Sequence, residues 1–343
     1  MKAMLFEDYR DNFQIEVPLT SKVDVTRLRQ ELGILEYVDV QDYVMRRLVA
    51  TTWAARNISL VYEQVPNDVR KNLAGKPMDI AFFGGAAFRL VCRSSNKPGP
   101  FYRNINDLDI VTTSQRGNDL VMLLSSLSHA FGTEYYHFIT TSDRFFNNAM
   151  RPKRFRIHAI NGLQDGNPVA GEMDIFADKI AMCHTIDVRE EVERSSELLH
   201  TIGIEKLLLT KLQFVKKVPK QVIDASNNYR IIEQFDADSV VIGLEDKDFL
   251  DVSSAFYDHD VGEAMGQIRT QTTYNVLKKD AGLCKTVSLN LQNVLNNIGR
   301  LNLPPAYVSV IEDRIRRLMK ELPEAKTKFL GGLKKQWWAT VED

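Results

Sequence analysis

Between residues 76 and 176 the sequence alternates short strand-like runs with helix-like stretches, and this order constrains the fold more than any other feature. Ile80–Phe83 is a compact apolar run that predicts a buried strand, and Ala86–Cys92 predicts a helix shortly after it. Asn106–Thr112 and Gly171–Phe176 alternate polar with apolar residues, which predicts two further strands with one buried face each. Interleaved strands and helices of this kind predict a sheet with helices packed against it.

The rest of the chain has mostly helical patterns, so we predict three parts. These are a mostly helical N-terminal scaffold segment at residues 1–75, a core at 76–203 and a helical C-terminal domain at 204–343. The C-terminal helices are predicted at Ile204–Lys217, Ala225–Phe235, Phe249–Tyr257, Val261–Arg269, Val287–Asn297 and Tyr307–Leu322. The predicted fold class is therefore α+β, with a small mixed sheet and flanking helices followed by a mostly helical domain.

The composition is that of an ordinary globular protein. Of 343 residues, 44% are hydrophobic and 26% charged, and 44 Lys and Arg oppose 45 Asp and Glu, which argues against a wholly basic surface for nucleic acid. The three cysteines lie far apart without a CxxC pair, which disfavours a disulfide framework and a structural zinc site. The N-terminus lacks the apolar core of a signal peptide and no run reaches membrane-spanning length, so we expect a cytoplasmic protein without a membrane partner.

Two aspartates, Asp107 and Asp109, fall on one face of a predicted strand. Residues two apart on a strand lie roughly 6–7 Å apart, and like charges at that spacing repel unless a cation lies between them. The pair alone also suits a solvated edge strand. Asp174, on another predicted strand, adds a third carboxylate, and Glu172 on the same face is the alternative. Three carboxylates on neighbouring strands suit a Mg²⁺ site for phosphoryl or nucleotidyl transfer.

Glycines and basic residues accompany the acidic ones. Gly84–Gly85 joins a predicted strand to a helix, where backbone N–H groups can face an anion, although a tight turn explains a double glycine equally well. Arg89 lies one helical turn further on and either reaches back to a phosphate or forms a surface ion pair, and Arg103 has the same two interpretations. Lys211 lies in an apolar helix, so its ammonium group either extends to water or faces a cleft and meets an anion there.

Four further features have competing interpretations. On a strand, Arg154 and Arg156 would share a face that could hold an RNA backbone, although such charge runs are commonly solvated. The acidic run between residues 234 and 263 is interpreted as a solvated face, and Cys183 and His184 as packing residues. The C-terminal stretch Lys334–Trp338 either stacks on bases or docks on its own domain.

Together, these residues resemble a known signature. Gly84–Gly85, Arg89, Arg103, Asp107–Asp109 and Asp174 are similar to the hG[GS]…[DE]h[DE]h…h[DE]h pattern of polymerase-β-type nucleotidyltransferases. Within that superfamily the chain is most similar to the abortive-infection toxin-like branch (AbiEii/AbiGii). Two stretches carry this similarity: Leu207–Gln213 and Val222–Asp224. The resemblance covers about residues 78–230. The chain departs from the pattern in having Gly85 where many members carry Ser, and Asn104 or Asn106 where many carry Thr or Ser.

The resemblance implies an enzyme dependent on Mg²⁺ or Mn²⁺ that moves a nucleoside monophosphate from an NTP to an acceptor hydroxyl. The acceptor would be an RNA 3′ end, a protein or a small molecule, and a toxin or phage-defence role with a cognate antitoxin partner is implied. Catalysis and metal binding would fall to Asp107, Asp109 and Asp174. Nucleotide binding would fall to Gly84, Gly85, Arg89, Arg103 and Lys211. The alternative is a catalytically silent relative that binds a nucleotide or a partner as a sensor.

Overall fold

The computed structural model describes residues 36–38, 43–56, 78–117, 119–124, 138–139, 154–164, 167–193, 199–223, 231–324 and 336–340. The chain divides into two compact units. Unit 1 comprises residues up to Leu90, Asn104–Ile180 and Asp187–Ile202, and unit 2 comprises Val91–Arg103, Ala181–Ile186 and Gly203 onward. Neither unit is a continuous stretch of sequence, so residues 91–103 and 181–186, which we predicted in the core, belong to unit 2 instead.

Unit 1 contains a five-stranded mixed sheet with the strand order β1–β2–β5–β4–β3. Its strands are β1 (Ile80–Phe83), β2 (Asp107–Thr112), β3 (Phe138–Ile139), β4 (Arg154–Gln164) and β5 (Asn167–Ala177). β2 and β5 are parallel, and the other neighbouring pairs are antiparallel. The expectation of a mixed α and β fold is confirmed.

The alternating patterns in β2 and β5 give this sheet one apolar face. Register places Leu108 beside Met173 and Ile110 beside Ile175, and all four side chains are fully buried. Neighbouring strands add further buried members to the same face: Ile80, Phe82, Phe155 and Ile157. Because successive side chains on a strand point to opposite faces, the polar residues of β2 and β5 lie together on the other face.

Three labelled helices belong to unit 1: α1 (Tyr43–Arg56), α2 (Gly84–Val91) and α3 (Arg189–Glu193). Residues 119–124 are also helical, whereas most of the predicted N-terminal segment, residues 1–75, lies outside the described residues. Within that segment α1 is helical, as predicted, and its Met45 and Leu48 are fully buried. Two short strands, β6 (Lys179–Ala181) and β7 (Thr185–Asp187), lie where the chain passes between the units.

Unit 2 combines helices with a small sheet. Its helices are α4 (Ile204–Leu212), α5 (Asp246–Asp258), α6 (Thr270–Leu277), α7 (Ala281–Asn297) and α8 (Pro305–Lys320). A three-stranded antiparallel sheet has the order β8–β10–β9 and consists of β8 (Lys216–Pro219), β9 (Ile231–Gln234) and β10 (Ser239–Ile242). Among the described residues, no helix has both the length and the apolar character needed to cross a bilayer.

Three predictions for this half of the chain are wrong in whole or in part. The helix predicted at Ile204–Lys217 ends at Leu212, and Lys216 begins β8. Val261–Arg269 is not a helix but forms two short parallel strands, β11 (Val261–Gly262) and β12 (Ile268–Arg269). Gly266, between them, has a φ of 81°, which ends any helical path there. Of the predicted helix Ala225–Phe235, residues 225–230 lie outside the described residues, and residues 231–234 form β9, which pairs with the β-branched residues of β10. The domain therefore contains sheet as well as helix.

Candidate functional site

β2 and β5 together place four carboxylates on one face of the unit 1 sheet. Their parallel register sets Asp107 opposite Glu172 and Asp109 opposite Asp174. Directly opposite residues on neighbouring strands share a face. The three predicted carboxylates therefore lie on adjacent strands with Glu172 among them, and this face defines the candidate site.

The glycine corner, Gly84–Gly85, lies against this carboxylate face. β1 pairs with β2 so that Phe83, the last residue of β1, is opposite Asp109. Gly84 follows with a φ of 66°, in the left-handed region that other residues rarely adopt. A Cβ atom on Gly84 would overlap Asp109 Oδ2 and lie 2.8 Å from Asp109 Cγ. Glycine is required at this position both for the turn and for the close approach of the Asp109 carboxylate.

Helix α2 starts at this corner, so the N–H groups of its first turn lie close to Asp109. N–H groups at this position have no hydrogen-bond acceptor within the helix itself. Such groups are partners for an anion such as phosphate. Arg89, one turn along α2, is only 2% exposed. The surface ion pair that we considered for Arg89 is therefore wrong, and its assignment to a nucleotide stays a prediction.

Two arginines of β4 hold the third carboxylate. Arg156 is opposite Asp174 in register, and its Nε donates to Asp174 Oδ1 at 3.1 Å. Arg154 donates to Asp174 Oδ2, and the two side chains of this pair are each only 9% exposed. Arg156 Nε also lies 3.3 Å from Glu172 Oε2. The expected shared face of Arg154 and Arg156 is confirmed, but the expectation of a solvated charge run is wrong.

The donor set of this face fits Mg²⁺ or Mn²⁺ as a site of two carboxylates. Asp107 and Asp109 are half-buried, and Mg²⁺ in proteins is commonly held by one or two carboxylates together with substrate phosphates. Across the described ranges, no group of three or more His, Cys, Asp or Glu side chains is arranged to hold a metal ion. Asp174 faces the guanidinium groups, so it would have to leave them to become a third ligand.

The other two predicted nucleotide-binding residues, Arg103 and Lys211, belong to unit 2. Lys211 Nζ donates to Asp248 Oδ1 at 2.8 Å and lies 3.3 Å from Asp251 Oδ2. Arg103 forms two hydrogen bonds with Asp251, at 2.8 and 2.7 Å. Burial acts to lower the pKa of Lys211, but the negative charges of Asp248 and Asp251 outweigh it and hold that pKa well above its ordinary value.

The ion pairs of Lys211 and Arg103 bear on two predictions: the solvated acidic run and the nucleotide-binding role of Lys211. Asp248 and Asp251, in the acidic run that we interpreted as solvated, are each 2% exposed and neutralise buried cations. The ammonium group of Lys211 meets protein carboxylates, so its assignment to a nucleotide stays a prediction. Asp224, the last residue of the second stretch that carries the resemblance, lies outside the described residues.

The remaining features of the sequence pack within unit 2. Cys183 and Trp338 belong to one buried apolar cluster, and Trp337 Nε1 donates to Thr286 Oγ1 at 3.0 Å. His184 is 6% exposed, and its Nε2 lies 3.0 Å from Thr286 Oγ1. The prediction that Cys183 and His184 pack is therefore confirmed. Of the two interpretations of the aromatic tail, docking on its own domain is the one observed.

Sequence reasoning missed the partners of two charged groups. It did not connect Arg154 and Arg156 with Asp174, because pairing across strands depends on register that one strand alone does not reveal. It did not select Asp248 and Asp251 from their acidic surroundings, although they are three residues apart and so share a helix face.

Comparison with known proteins adds no relative: no family model matches the chain, and no curated protein matches it either. The resemblance to nucleotidyltransferases therefore rests on the motif residues themselves. Functional inference depends on the geometry around Asp109 and Asp174.

Proposed function

We propose that this protein is a Mg²⁺-dependent nucleotidyltransferase that moves a nucleoside monophosphate from an NTP to an acceptor hydroxyl. The observation that carries the proposal is the contact between Gly84 and the Asp109 carboxylate, with Asp174 opposite Asp109 on the next strand. An anion-binding backbone corner and a carboxylate face that suits a cation lie within one unit. A polyphosphate that carries a metal ion needs both: N–H donors for its oxygens and carboxylates for the metal.

Each residue has a role that follows from its position. Asp107 and Asp109 would hold Mg²⁺ or Mn²⁺, which when bound neutralises charge on the polyphosphate. The N–H groups at Gly84 and Gly85 bind phosphate oxygens. Asp174, with Glu172 as the alternative, would complete the cation site as the third carboxylate once it leaves the arginines, and it accepts the proton of the acceptor hydroxyl. Arg89, Arg103 and Lys211 stay predicted accessory cations, and the proposed roles of the carboxylates and glycines do not depend on them.

The proposed reaction balances without a further reactant. The acceptor oxygen forms a bond to the α-phosphorus, and the bond from that phosphorus to the bridging oxygen breaks. Pyrophosphate leaves, and the proton of the hydroxyl passes to a carboxylate. Because the protein makes no covalent bond to the substrate, positioning and charge neutralisation account for the rate.

The test is to incubate the full chain with each α-³²P-labelled NTP, Mg²⁺, total RNA and a cell lysate. We expect one labelled acceptor, release of pyrophosphate and loss of both with EDTA. Asp109→Asn should abolish labelling, whereas Glu193→Gln, which removes an exposed carboxylate of the same unit, should not. An Asp109→Asn variant as active as the parent would contradict the proposal. Labelling of RNA or of a protein would identify the acceptor class, and co-purification would reveal an antitoxin partner.

A second candidate is a catalytically silent protein that binds the nucleotide as a sensor. The observation that favours it is the engagement of both Asp174 oxygens by Arg154 and Arg156, which occupies the predicted proton acceptor. Calorimetric titration with NTP and Mg²⁺ followed by a pyrophosphate assay separates the two. Binding without pyrophosphate release supports the sensor, and binding with release supports the enzyme.

A further inference from the structure

Asp174 stands between an acidic and a basic neighbour on the same face of the sheet. β5 lies between β2 and β4, so Asp174 is flanked by Asp109 on one side and by Arg156 on the other. Its carboxylate bonds to the guanidinium groups of Arg154 and Arg156. The site therefore has a cationic edge as well as a carboxylate centre.

The two guanidinium groups converge on the Asp174 carboxylate. Their side chains are only 9% and 15% exposed, so water screens their mutual repulsion weakly. Like charges held this close are stable only when negative charge lies between them. Asp174 supplies one negative charge and two oxygens between them, and Glu172 Oε2 lies 3.3 Å from Arg156 Nε. A polyphosphate supplies more of both.

Aromatic packing fixes where this cationic edge lies. The guanidinium carbon of Arg154 is 5.0 Å from the centre of the Phe176 ring. Phe176 packs edge to face against Phe83, with ring centres 5.2 Å apart, and Phe83 immediately precedes Gly84. Stacking orients a guanidinium plane without using its N–H donors, and that planar fork matches phosphate oxygens in pairs. Phe176 and Phe83 therefore connect Arg154 to the glycine corner through two successive packing contacts.

We propose that Arg154 and Arg156 bind the polyphosphate of the nucleotide, and that Asp174 takes its place only while no metal is bound. This inference rests on the proposed function. On loading, Asp174 leaves the guanidinium groups for the cation, and polyphosphate oxygens replace it between the two arginines. The metal would take Asp174 from these ion pairs, and the polyphosphate would take the two arginines. Each ligand therefore breaks the ion pairs that oppose binding of the other, so the two bind cooperatively.

Inorganic tripolyphosphate is the probe, because it is common to every NTP and carries no base. Its affinity for the full chain is measured by calorimetry with and without Mg²⁺, for the parent protein, Arg154→Gln and Arg156→Gln. We expect each substitution to weaken binding in Mg²⁺ by about tenfold or more. Mn²⁺ alone, followed by electron paramagnetic resonance, should bind Arg156→Gln at least as tightly as the parent, because Asp174 has lost a competing cation.

Two further variants make the result decisive. Arg189→Gln removes a 51% exposed arginine of unit 1 and should leave both affinities unchanged. Arg156→Lys keeps the charge without the planar fork, so it should bind tripolyphosphate with intermediate affinity, and it replaces Arg156→Gln if that variant does not fold. Parent-like tripolyphosphate affinity in the arginine variants would overturn this inference and leave the proposed function standing. A parent protein that binds no tripolyphosphate with Mg²⁺ would overturn both.

Discussion

Asp109 and Asp174 lie directly opposite each other on the parallel strands β2 and β5, and each has a different neighbour on its outer side. Asp109 touches Gly84, whereas Asp174 is held by Arg154 and Arg156. One carboxylate is therefore next to the glycine corner and the other is next to two cations. This asymmetry is the basis of the proposed roles, in which Asp109 holds a cation and Asp174 exchanges between partners.

Substitution of Asp107 tests the carboxylate face through stability as well as activity. Asp107 is opposite Glu172, and like charges directly opposite each other destabilise a sheet by roughly 0.2–1 kcal/mol. We expect Asp107→Asn to raise the free energy of unfolding in EDTA by up to about 1 kcal/mol. Transfer activity should fall about a hundredfold or more, because charge neutralisation at the reacting phosphate is lost. Chemical denaturation and pyrophosphate release measure the two effects.

The control for this variant is Glu193→Gln, which removes a 56% exposed carboxylate paired with Arg189 in α3. Its effect on unfolding should stay within about 0.5 kcal/mol, and its activity should equal that of the parent. A drop in metal-free stability for Asp107→Asn would show that Asp107 makes a favourable contact in the apo protein, and would contradict the repulsion argument.

Gly84→Ala tests the glycine corner, and Gly266→Ala is its matched control. Both glycines have positive φ values, 66° and 81°, so both substitutions carry the backbone cost of about 1–2 kcal/mol. A Cβ at Gly266 meets nothing within 4 Å, whereas at Gly84 it displaces the Asp109 carboxylate. We therefore expect a lower melting temperature for Gly84→Ala than for Gly266→Ala, because the overlap with Asp109 adds to the shared backbone cost, and loss of Mg²⁺ stabilisation only in Gly84→Ala. If Mg²⁺ stabilises both variants equally, then the glycine corner does not contribute to metal binding, and this prediction is contradicted.

Much of the unit 1 sheet was predictable because its strands carry strong local signals. The apolar run before Gly84 and the alternation around Leu108 and Ile110 identify strands without knowledge of their neighbours. The face shared by Asp107 and Asp109 follows from the two-residue period alone. That Asp174 lies on a strand near Asp107 and Asp109 was an expectation from the motif, whereas the parallel pairing and the register that sets Asp174 opposite Asp109 were not predicted.

The rest could not be predicted because it depends on tertiary partners. The strand β9 is short, and its identity comes from pairing with β10 rather than from its own residues. Asp248 and Asp251 are each 2% exposed and meet Lys211 and Arg103, and nothing in the sequence around them distinguishes them from the exposed acidic residues of the same run. Burial of charge is a property of the folded pair, so composition indicated a solvated face where the structure has an ion-pair cluster.

Lys211→Met tests whether the unit 2 cluster is structural. Removing one member of a buried ion pair typically costs about 3–5 kcal/mol, because the partner charge stays buried. Lys211 and Asp248 are 10% and 3% exposed, so we expect a loss in this range, measured by urea denaturation. Lys247→Met is the control: its pair with Glu245 is 52% and 65% exposed, and its loss should cost less than about 1 kcal/mol.

A double variant distinguishes the loss of the pair from the loss of packing. In Lys211→Met with Asp248→Leu the unpaired carboxylate is gone, so part of the lost stability should return. Arg103 still neutralises Asp251 in this background. If the double variant is less stable than Lys211→Met alone, then Asp248 has favourable contacts beyond Lys211, and the pair is not the main source of the effect.

The docking of Trp337 depends on a short chain of polar groups that includes His184. Trp337 Nε1 and His184 Nε2 both lie 3.0 Å from Thr286 Oγ1, and His184 Nδ1 lies 3.4 Å from Asp280 Oδ2. When the Nδ1 of His184 carries the proton, its Nε2 accepts from Thr286, whose oxygen accepts from Trp337. This arrangement needs a neutral imidazole, because a protonated Nε2 would require the Thr286 hydroxyl to turn away.

We therefore expect acid to destabilise this docking. Burial lowers the pKa of His184, and attraction to Asp280 opposes that effect only in part. Since the folded-state pKa is below the unfolded value of about 6.5, the unfolded chain takes up the proton first as the pH falls. Stability should decrease below about pH 6.5, by at most about 1.4 kcal/mol per pH unit from this group. Urea denaturation of the parent and of His184→Gln at pH 7.5 and 5.5, followed by tryptophan fluorescence, measures the difference. A His184→Gln variant that loses as much stability on acidification as the parent would show that other groups cause the effect.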